Sequence, residues 1–273
     1  MNQIISKIYP KTKNSRYAVD SVYLRKRLIF KKNHDKPMYY ANFLTSLDGR
    51  IATYNDKYKQ LLTPQSIKNN VDFQLFCQLQ AQADCLITNT HYMKGLDIGY
   101  YGDILSTKDQ KLKKWRKENN LYSQKIIILS NSLNFPISDK TEKYKEEIIV
   151  LTTSKNKNKI KKFQSNGYKI LKFSGKNISA KQLDNFIVKN KFNSIYFIAG
   201  PTIVEQFISK NLLDKLYYST SIRMIGTTKY DTIIRGNFLK KAVNLKLSEM
   251  YIYEEKGKIN EQTLFQIFNA KEE

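Results

Sequence analysis

From Pro37 onward the chain alternates short apolar runs with segments of helical period, and this rhythm restricts the fold more than any other feature. Residues 38–44, 85–88, 125–129, 147–151, 168–171 and 194–199 read as strands. Between them, 66–81, 108–118, 158–165, 180–190 and 202–211 read as helices. In the first helix Ile67, Val71, Leu75 and Leu79 fall on one face, with Phe76 beside them. Strands that alternate with helices build a mostly parallel sheet covered on both faces. After Asp214 the rhythm changes, because 215–222, 245–253 and 263–269 favour strands with no helix between them. The expected class is therefore α/β: a mostly parallel mixed sheet flanked by helices, with antiparallel C-terminal strands. Residues 1–36 are polar, basic and weakly periodic, and read as an N-terminal extension that packs on the body or is partly mobile; 37–273 read as one domain. The Gly- and Tyr-rich stretch 91–103, with Asp97 and Asp103 in it, reads as a binding loop or lid.

In open parallel sheets, ligands bind beyond the carboxyl ends of the strands, so chemistry is sought there. Thr45, Ser46, Asp48 and Arg50 follow the first strand, with Gly49 to let the backbone turn. Taken alone, this segment is either a ligand site or a plain turn with solvated side chains. Thr88, Asn89 and Thr90 follow the next strand, Ser130, Asn131 and Ser132 another, and Thr152, Thr153 and Ser154 a fourth. Ala199-Gly200-Pro201-Thr202 closes a strand and opens a helix. There a small residue and a glycine admit close backbone approach, and the free N–H groups of a helix start favour phosphate. His91, just after a strand end, is a candidate ligand contact. His34 lies in a charged linker and reads as solvated, and Trp115 reads as a packing residue.

The net charge of +23 points toward nucleic acid, but the lysines are spread along the whole chain. The densest runs, 111–117 and 155–162, read as solvated helix faces, with no zinc finger, helix-turn-helix or aromatic-interleaved RNA motif beside them. Nucleic acid is therefore not the expected partner, although anionic small ligands would benefit from the charge. No apolar run is long enough for a membrane span and no signal-type leader opens the sequence, so a cytoplasmic protein without a membrane partner is expected. Cys77 and Cys85 read as small core hydrophobes. Walker, GxGxxG, G-x-S-x-G and CxxC patterns are absent from the sequence, and no metal site is expected.

Thr45-Ser-Leu-Asp-Gly-Arg-Ile-Ala52, Leu62-Thr-Pro64, the helix with Asp72 and Phe76, Ala81-Gln-Ala-Asp-Cys-Leu-Ile87, Ala199-Gly-Pro-Thr202 and Leu212-Leu-Asp-Lys-Leu216 occur in this order. Together they resemble the pyrimidine reductases of riboflavin biosynthesis, the C-terminal reductase domain of the bifunctional deaminase-reductases, over about residues 38–226. The resemblance implies a dihydrofolate-reductase-like fold in a divergent member. It also implies NADPH as cofactor and 5-amino-6-(5-phosphoribosylamino)uracil reductase-like activity on a small polar pyrimidine- or pterin-like substrate. On this resemblance Asp48 and Arg50 act at the reaction, and Thr45 and Ser46, with His91, hold substrate. Ala199, Gly200, Pro201 and Thr202 hold the pyrophosphate, Ser130, Asn131 and Thr153 approach the adenosine side, and Ala52, Thr63, Thr88 and Asn89 complete the cofactor contacts. A homodimer is implied as well.

The chain departs from the family pattern in places. Thr88-Asn-Thr-His-Tyr92 replaces a Gly-x-Gly-Thr-like segment, Ile198 stands where the family has Glu, and Ile222 replaces a proline. No H-x-E…P-C-x-x-C deaminase signature occurs, so a separate deaminase is expected to supply the substrate. Two other classes remain open at this point: a ligand-binding protein that keeps the reductase fold without activity, and a basic nucleic-acid-associated protein.

Overall fold

A computed structural model describes residues 3–30, 36–234, 242–254 and 261–270; the expectation for His34 and its linker falls outside these. In chain order the strands are β1 (Ile4–Tyr9), β2 (Arg16–Ala18), β3 (Met38–Ser46), β4 (Ala52–Asn55), β5 (Gln60–Leu62), β6 (Cys85–Asn89), β7 (Lys125–Leu129), β8 (Ile148–Thr152), β9 (Lys169–Lys172), β10 (Ser194–Phe197), β11 (Lys215–Ser221), β12 (Tyr230–Asp231), β13 (Lys246–Glu254) and β14 (Gln262–Asn269). The helices are α1 (Asn70–Ala81), α2 (Thr90–Asp97), α3 (Gln110–Glu118), α4 (Asp139–Glu142), α5 (Lys157–Ser165), α6 (Ala180–Lys189) and α7 (Pro201–Ser209). The backbone gathers into two compact units, one of Met1–Arg27, Tyr39–Leu79 and Val204–Glu273, the other of Leu28–Met38 and Gln80–Ile203.

In the first unit the strands run in the order β2-β1-β13-β14-β11-β3. The pair β3/β11 is parallel, with Thr45 opposite Thr220 and Ser46 opposite Ser221. The pairs β11/β14, β13/β14, β1/β13 and β1/β2 are antiparallel, which places the expected antiparallel strands at the C-terminal end of the chain. β3 is buried along its length except at Asn42 and Leu44, as a strand covered on both faces must be. On α1, Val71, Leu75 and Leu79 are buried as their spacing predicts. The same helix also buries Gln78, whose side-chain oxygen accepts the backbone N–H of Tyr23 at 2.9 Å while its amide donates to the Val19 carbonyl at 2.5 Å. Residues of the basic N-terminal stretch are thereby hydrogen-bonded to α1, and β1 is a strand of the sheet. A small antiparallel sheet, β12-β4-β5, completes the unit.

The second unit is a parallel sheet in the order β10-β6-β7-β8-β9. Ile126, Ile127, Ile128, Ile148, Val150 and Leu151 are all at or below 1% exposure, so these runs carry apolar residues on both faces. Helix boundaries follow local chemistry: Asp109 caps α3, Asn156 caps α5, and Ser179 forms a capping box with Gln182 at α6. Arg116, within the basic run of α3, is buried and donates to the carbonyls of Ala81, Ala83 and Ser123.

One expected loop is a helix over much of its length. Residues 90–97 form α2, because the Asn89 side chain accepts the N–H of Tyr92 at 3.1 Å and caps it. Gly95 is not a chain-breaking signal there. A β-carbon at this position would come within 2.2 Å of the edge of the Tyr101 ring, so the glycine makes room for that ring.

Candidate functional site

The end of β3 organises the first cluster of candidates. Thr45 and Ser46 are fully buried. Thr45 Oγ1 donates to the Ser46 carbonyl at 2.9 Å. Gly49 adopts φ +82, a conformation that favours glycine, and its N–H donates to the Ser46 carbonyl at 2.9 Å. The chain therefore turns back on itself: Ser46 N donates to the Arg50 carbonyl, and Arg50 N donates to Ser46 Oγ at 3.0 Å.

Inside that turn Ser46 Oγ donates to Asp48 Oδ1 at 2.5 Å. The other carboxylate oxygen accepts the backbone N–H of Gly226 at 2.9 Å and lies 3.1 Å from Arg50 Nη1. The Ser46 hydrogen bond, helped by the N–H groups of Gly226 and Ile225 and by Arg50, lowers the Asp48 carboxyl to about 2 against the desolvation that opposes it. The Arg50 guanidinium lies 4.4 Å from the centre of the Tyr230 ring and also donates to the Asp48 carbonyl. Its Nε is buried with no hydrogen-bond partner among the described residues, a donor left to be satisfied. Ala52 opens β4 opposite Asp231, and Thr63, half-buried, follows β5.

The second unit holds the remaining candidates at the carboxyl ends of its strands. Thr88 is fully buried at the end of β6, and its hydroxyl has no hydrogen-bond partner among the described residues. Asn89 caps α2, and its amide nitrogen lies 3.5 Å from where a Gly200 β-carbon would stand. Half-buried Ala199 and Gly200 precede α7, which buried Pro201 opens, while Thr202 is exposed. Thr90 Oγ1 donates to Ser130 Oγ at 2.8 Å, joining the ends of β6 and β7. Asn131 and Thr153 sit one step further along, on the wall of an open cavity of about 680 Å³. His91 is exposed in the first turn of α2, its ring 6.4 Å from that of Tyr101.

The candidates thus form two groups, Thr45, Ser46, Asp48 and Arg50 in the first unit and Thr88, Asn89, Ser130 and Gly200 in the second. Sequence reasoning missed Tyr230, Ile225 and Gly226, which contact the motif from more than 170 residues downstream and leave no local signal. It also missed Lys155 and Lys159, which line the cavity although their run reads as a solvated helix face, and Lys176, which lines it with them. The orphan hydroxyl of Thr88 and the open backbone at Gly200 suit a phosphate-bearing ligand. Among the described residues, no group of three or more His, Cys, Asp or Glu could hold a metal ion, and no helix is long and apolar enough to cross a membrane.

The fold matches solved structures at low sequence identity. A pyrimidine reductase-like protein from Corynebacterium diphtheriae superposes with a TM-score of 0.69 at 16% identity, covering 88% of this chain and 94% of that one. A diaminohydroxyphosphoribosylaminopyrimidine deaminase/5-amino-6-(5-phosphoribosylamino)uracil reductase from Thermotoga maritima gives 0.59 at 11% identity, over 90% of this chain and 60% of that one. The riboflavin biosynthesis reductase Rib7 of Saccharomyces cerevisiae gives 0.56 at 14% identity, over 91% and 98%. A search of curated protein sequences finds no match. The profile of the RibD C-terminal domain matches residues 37–258, from the start of β3 past the end of β13. On the breadth of that match, with the strand-end motif inside it, the chain belongs to the RibD C-terminal domain family.

Proposed function

We propose that this oxidoreductase of the riboflavin pyrimidine reductase family is an NADPH-dependent reductase of a small polar, pyrimidine-like substrate such as a phosphorylated ribosylamino-pyrimidine. The observation that carries the reading is the Ser46–Asp48–Arg50 turn, with a buried guanidinium nitrogen lacking a partner, in a chain of this family. When bound, the dinucleotide supplies the hydride.

The chain's own residues supply orientation and charge. The N–H groups at the start of α7, freed by Gly200 and Pro201, suit the pyrophosphate, with Ala199, Thr202, Thr88 and Asn89 beside it. Ser130, Asn131 and Thr153 serve the adenosine side, and Ala52 and Thr63 complete the contacts. Arg50 offers a fixed cation to a carbonyl or anion of the substrate, and Asp48 keeps that cation in place; Thr45, Ser46 and His91 are the remaining substrate contacts. We further propose a cytoplasmic homodimer.

The test is a thermal-shift titration with NADPH and NADH, followed by turnover of 5-amino-6-(5-phosphoribosylamino)uracil monitored at the nicotinamide absorbance. Saturable stabilisation with turnover supports the reading. Stabilisation without turnover on any pyrimidine substrate leaves a binding protein, and no stabilisation removes the cofactor. Light scattering that returns 32.1 kDa at micromolar concentration rejects the dimer.

A further inference from the structure

Residues 223–231 lie across the turn that follows β3, fastened to it by main-chain N–H groups. Leu47 N donates to the Arg223 carbonyl at 2.7 Å and Gly226 N to Asp48 Oδ2 at 2.9 Å. Further along, Ile51 N donates to the Asp231 carbonyl at 2.9 Å and Tyr54 N to the Lys229 carbonyl at 3.0 Å. Both ends of the segment are thereby fixed on the motif, and Gly226, at φ +60, lets the chain turn between them. In β12 Tyr230 pairs with Thr53 of β4. Its ring meets the Arg50 guanidinium, whose central carbon lies 4.4 Å from the ring centre.

Asp48 by itself does not fix that guanidinium. Its carbonyl and its Oδ2 both meet Nη1, so they hold one corner of a planar group and leave rotation about that corner. A ring against the guanidinium removes this freedom, because the cation is drawn to the aromatic face and stacks on it. The guanidinium N–H groups lie in its plane, so fixing the plane also fixes the direction of Nε–H, the donor buried without a partner among the described residues. Misplacing a group that must meet a reacting centre by about 1 Å can cost roughly 10²-fold in rate. The fold is less sensitive here, since Tyr230 is 42% exposed.

We propose that Tyr230 is a positioning residue for the reaction: its ring, and not its hydroxyl, holds the Arg50 guanidinium in the plane in which it meets the substrate. Treating Arg50 as a substrate contact rests on the function proposed above; the ring's hold on Arg50 stands without it.

Tyr230→Phe and Tyr230→Leu test the assignment, with Tyr54→Leu as control. Tyr54 carries another cation of the small sheet, Lys229, 5.0 Å from its ring centre, so its loss removes a like pair that does not involve Arg50. With 5-amino-6-(5-phosphoribosylamino)uracil and NADPH, Tyr230→Phe and Tyr54→Leu are expected within about twofold of the wild-type kcat/KM, and Tyr230→Leu roughly tenfold or more below it. NADPH affinity stays that of the wild type. In an Arg50→Gln background Tyr230→Leu should cost less than about twofold, because the ring acts through the guanidinium. Wild-type kcat/KM in Tyr230→Leu, or the same loss in both backgrounds, overturns the inference. The NMR signal of the Arg50 Nε–H, assigned by its disappearance in Arg50→Gln, gives a readout without substrate. Slow exchange with water is expected in the wild type and Tyr230→Phe, and fast exchange in Tyr230→Leu. Equal exchange in the wild type and Tyr230→Leu overturns the hold on Arg50. Ring-dependent exchange in a protein without turnover upholds that hold and removes the reductase reading alone.

Discussion

The Asp48 carboxylate accepts the backbone N–H of Gly226 at 2.9 Å, which ties the turn after β3 to the chain that follows β11. Both carboxylate oxygens are occupied by partners within the chain, so Asp48 is a clamp as much as a reactive group. In Asp48→Asn one oxygen becomes a donor that faces N–H groups or the Arg50 guanidinium. We expect a lower melting temperature together with turnover reduced by roughly 10²-fold. Unchanged turnover with a lowered melting temperature, read in parallel on one preparation, would assign the motif to stability alone.

Gly200→Val separates cofactor binding from folding. Among the described residues an added β-carbon meets Asn89 Nδ2 at the ordinary contact distance of 3.5 Å, so the position leaves room for a β-carbon. The side chain would still crowd the approach of a phosphate to the start of α7. NADPH affinity should fall by more than about tenfold at an unchanged melting temperature. Wild-type affinity in a folded variant places the pyrophosphate elsewhere.

Two carboxyls give stability opposite dependences on pH. Burial pushes Asp72 up to about 6, with the Ser219 hydroxyl acting against the rise, whereas Asp48 is held near 2. A carboxyl raised in the folded state from its usual 3.8 contributes stability that is fully present below about pH 4 and is lost as pH rises through about 6. Asp48 does the reverse, its contribution being present above about pH 4 and lost as pH falls toward 2. Asp72→Asn should flatten the decline between pH 4 and 6 and raise stability at pH 7 by up to about 3 kcal/mol. Urea unfolding at pH 4.5, 6 and 7.5 checks this; parallel curves for variant and wild type would refute it.

Gly95→Ala is expected to destabilise the protein although alanine is the better helix former by about 1 kcal/mol. The methyl would occupy the space of the Tyr101 ring, which stacks on Tyr92 with centroids 5.7 Å apart. Chemical denaturation of Gly95→Ala, and of Gly95→Ala with Tyr101→Ala to reopen the space, gives the readout. Partial recovery in the double variant is the expected result; a stabilised single variant would contradict the packing.

What was legible in the sequence is what repeats along it. The apolar runs of β7 and β8 lie where periodicity placed them, because strands buried on both faces carry continuous Ile, Leu and Val. The strand-end polar residues were equally plain. Short strands such as β4 and β5 were hidden, since Thr53, Asn55 and Gln60 carry no apolar signal and the pairing comes from register alone. α2 was misread because Gly95 and the tyrosines imitate loop composition, while the ring they accommodate is set by tertiary contact. Arg116 and Gln78 look like solvated helix residues; their partners are carbonyl and N–H groups distant in sequence, which no local pattern encodes.

The pairing of β1 with β13 has a practical side. The family match starts at residue 37, a natural place to shorten the protein. A chain cut there would leave β13 with bare N–H and C=O groups along one side, and the buried Gln78 amide without its partners at Val19 and Tyr23. Met250 and Ile252 would then lie on an open edge, a template onto which a second shortened copy can add its own strand. Such a fragment should precipitate or form mixed oligomers on expression, and insolubility of that kind would report a stripped sheet edge, leaving the catalytic competence of residues 37–258 unjudged.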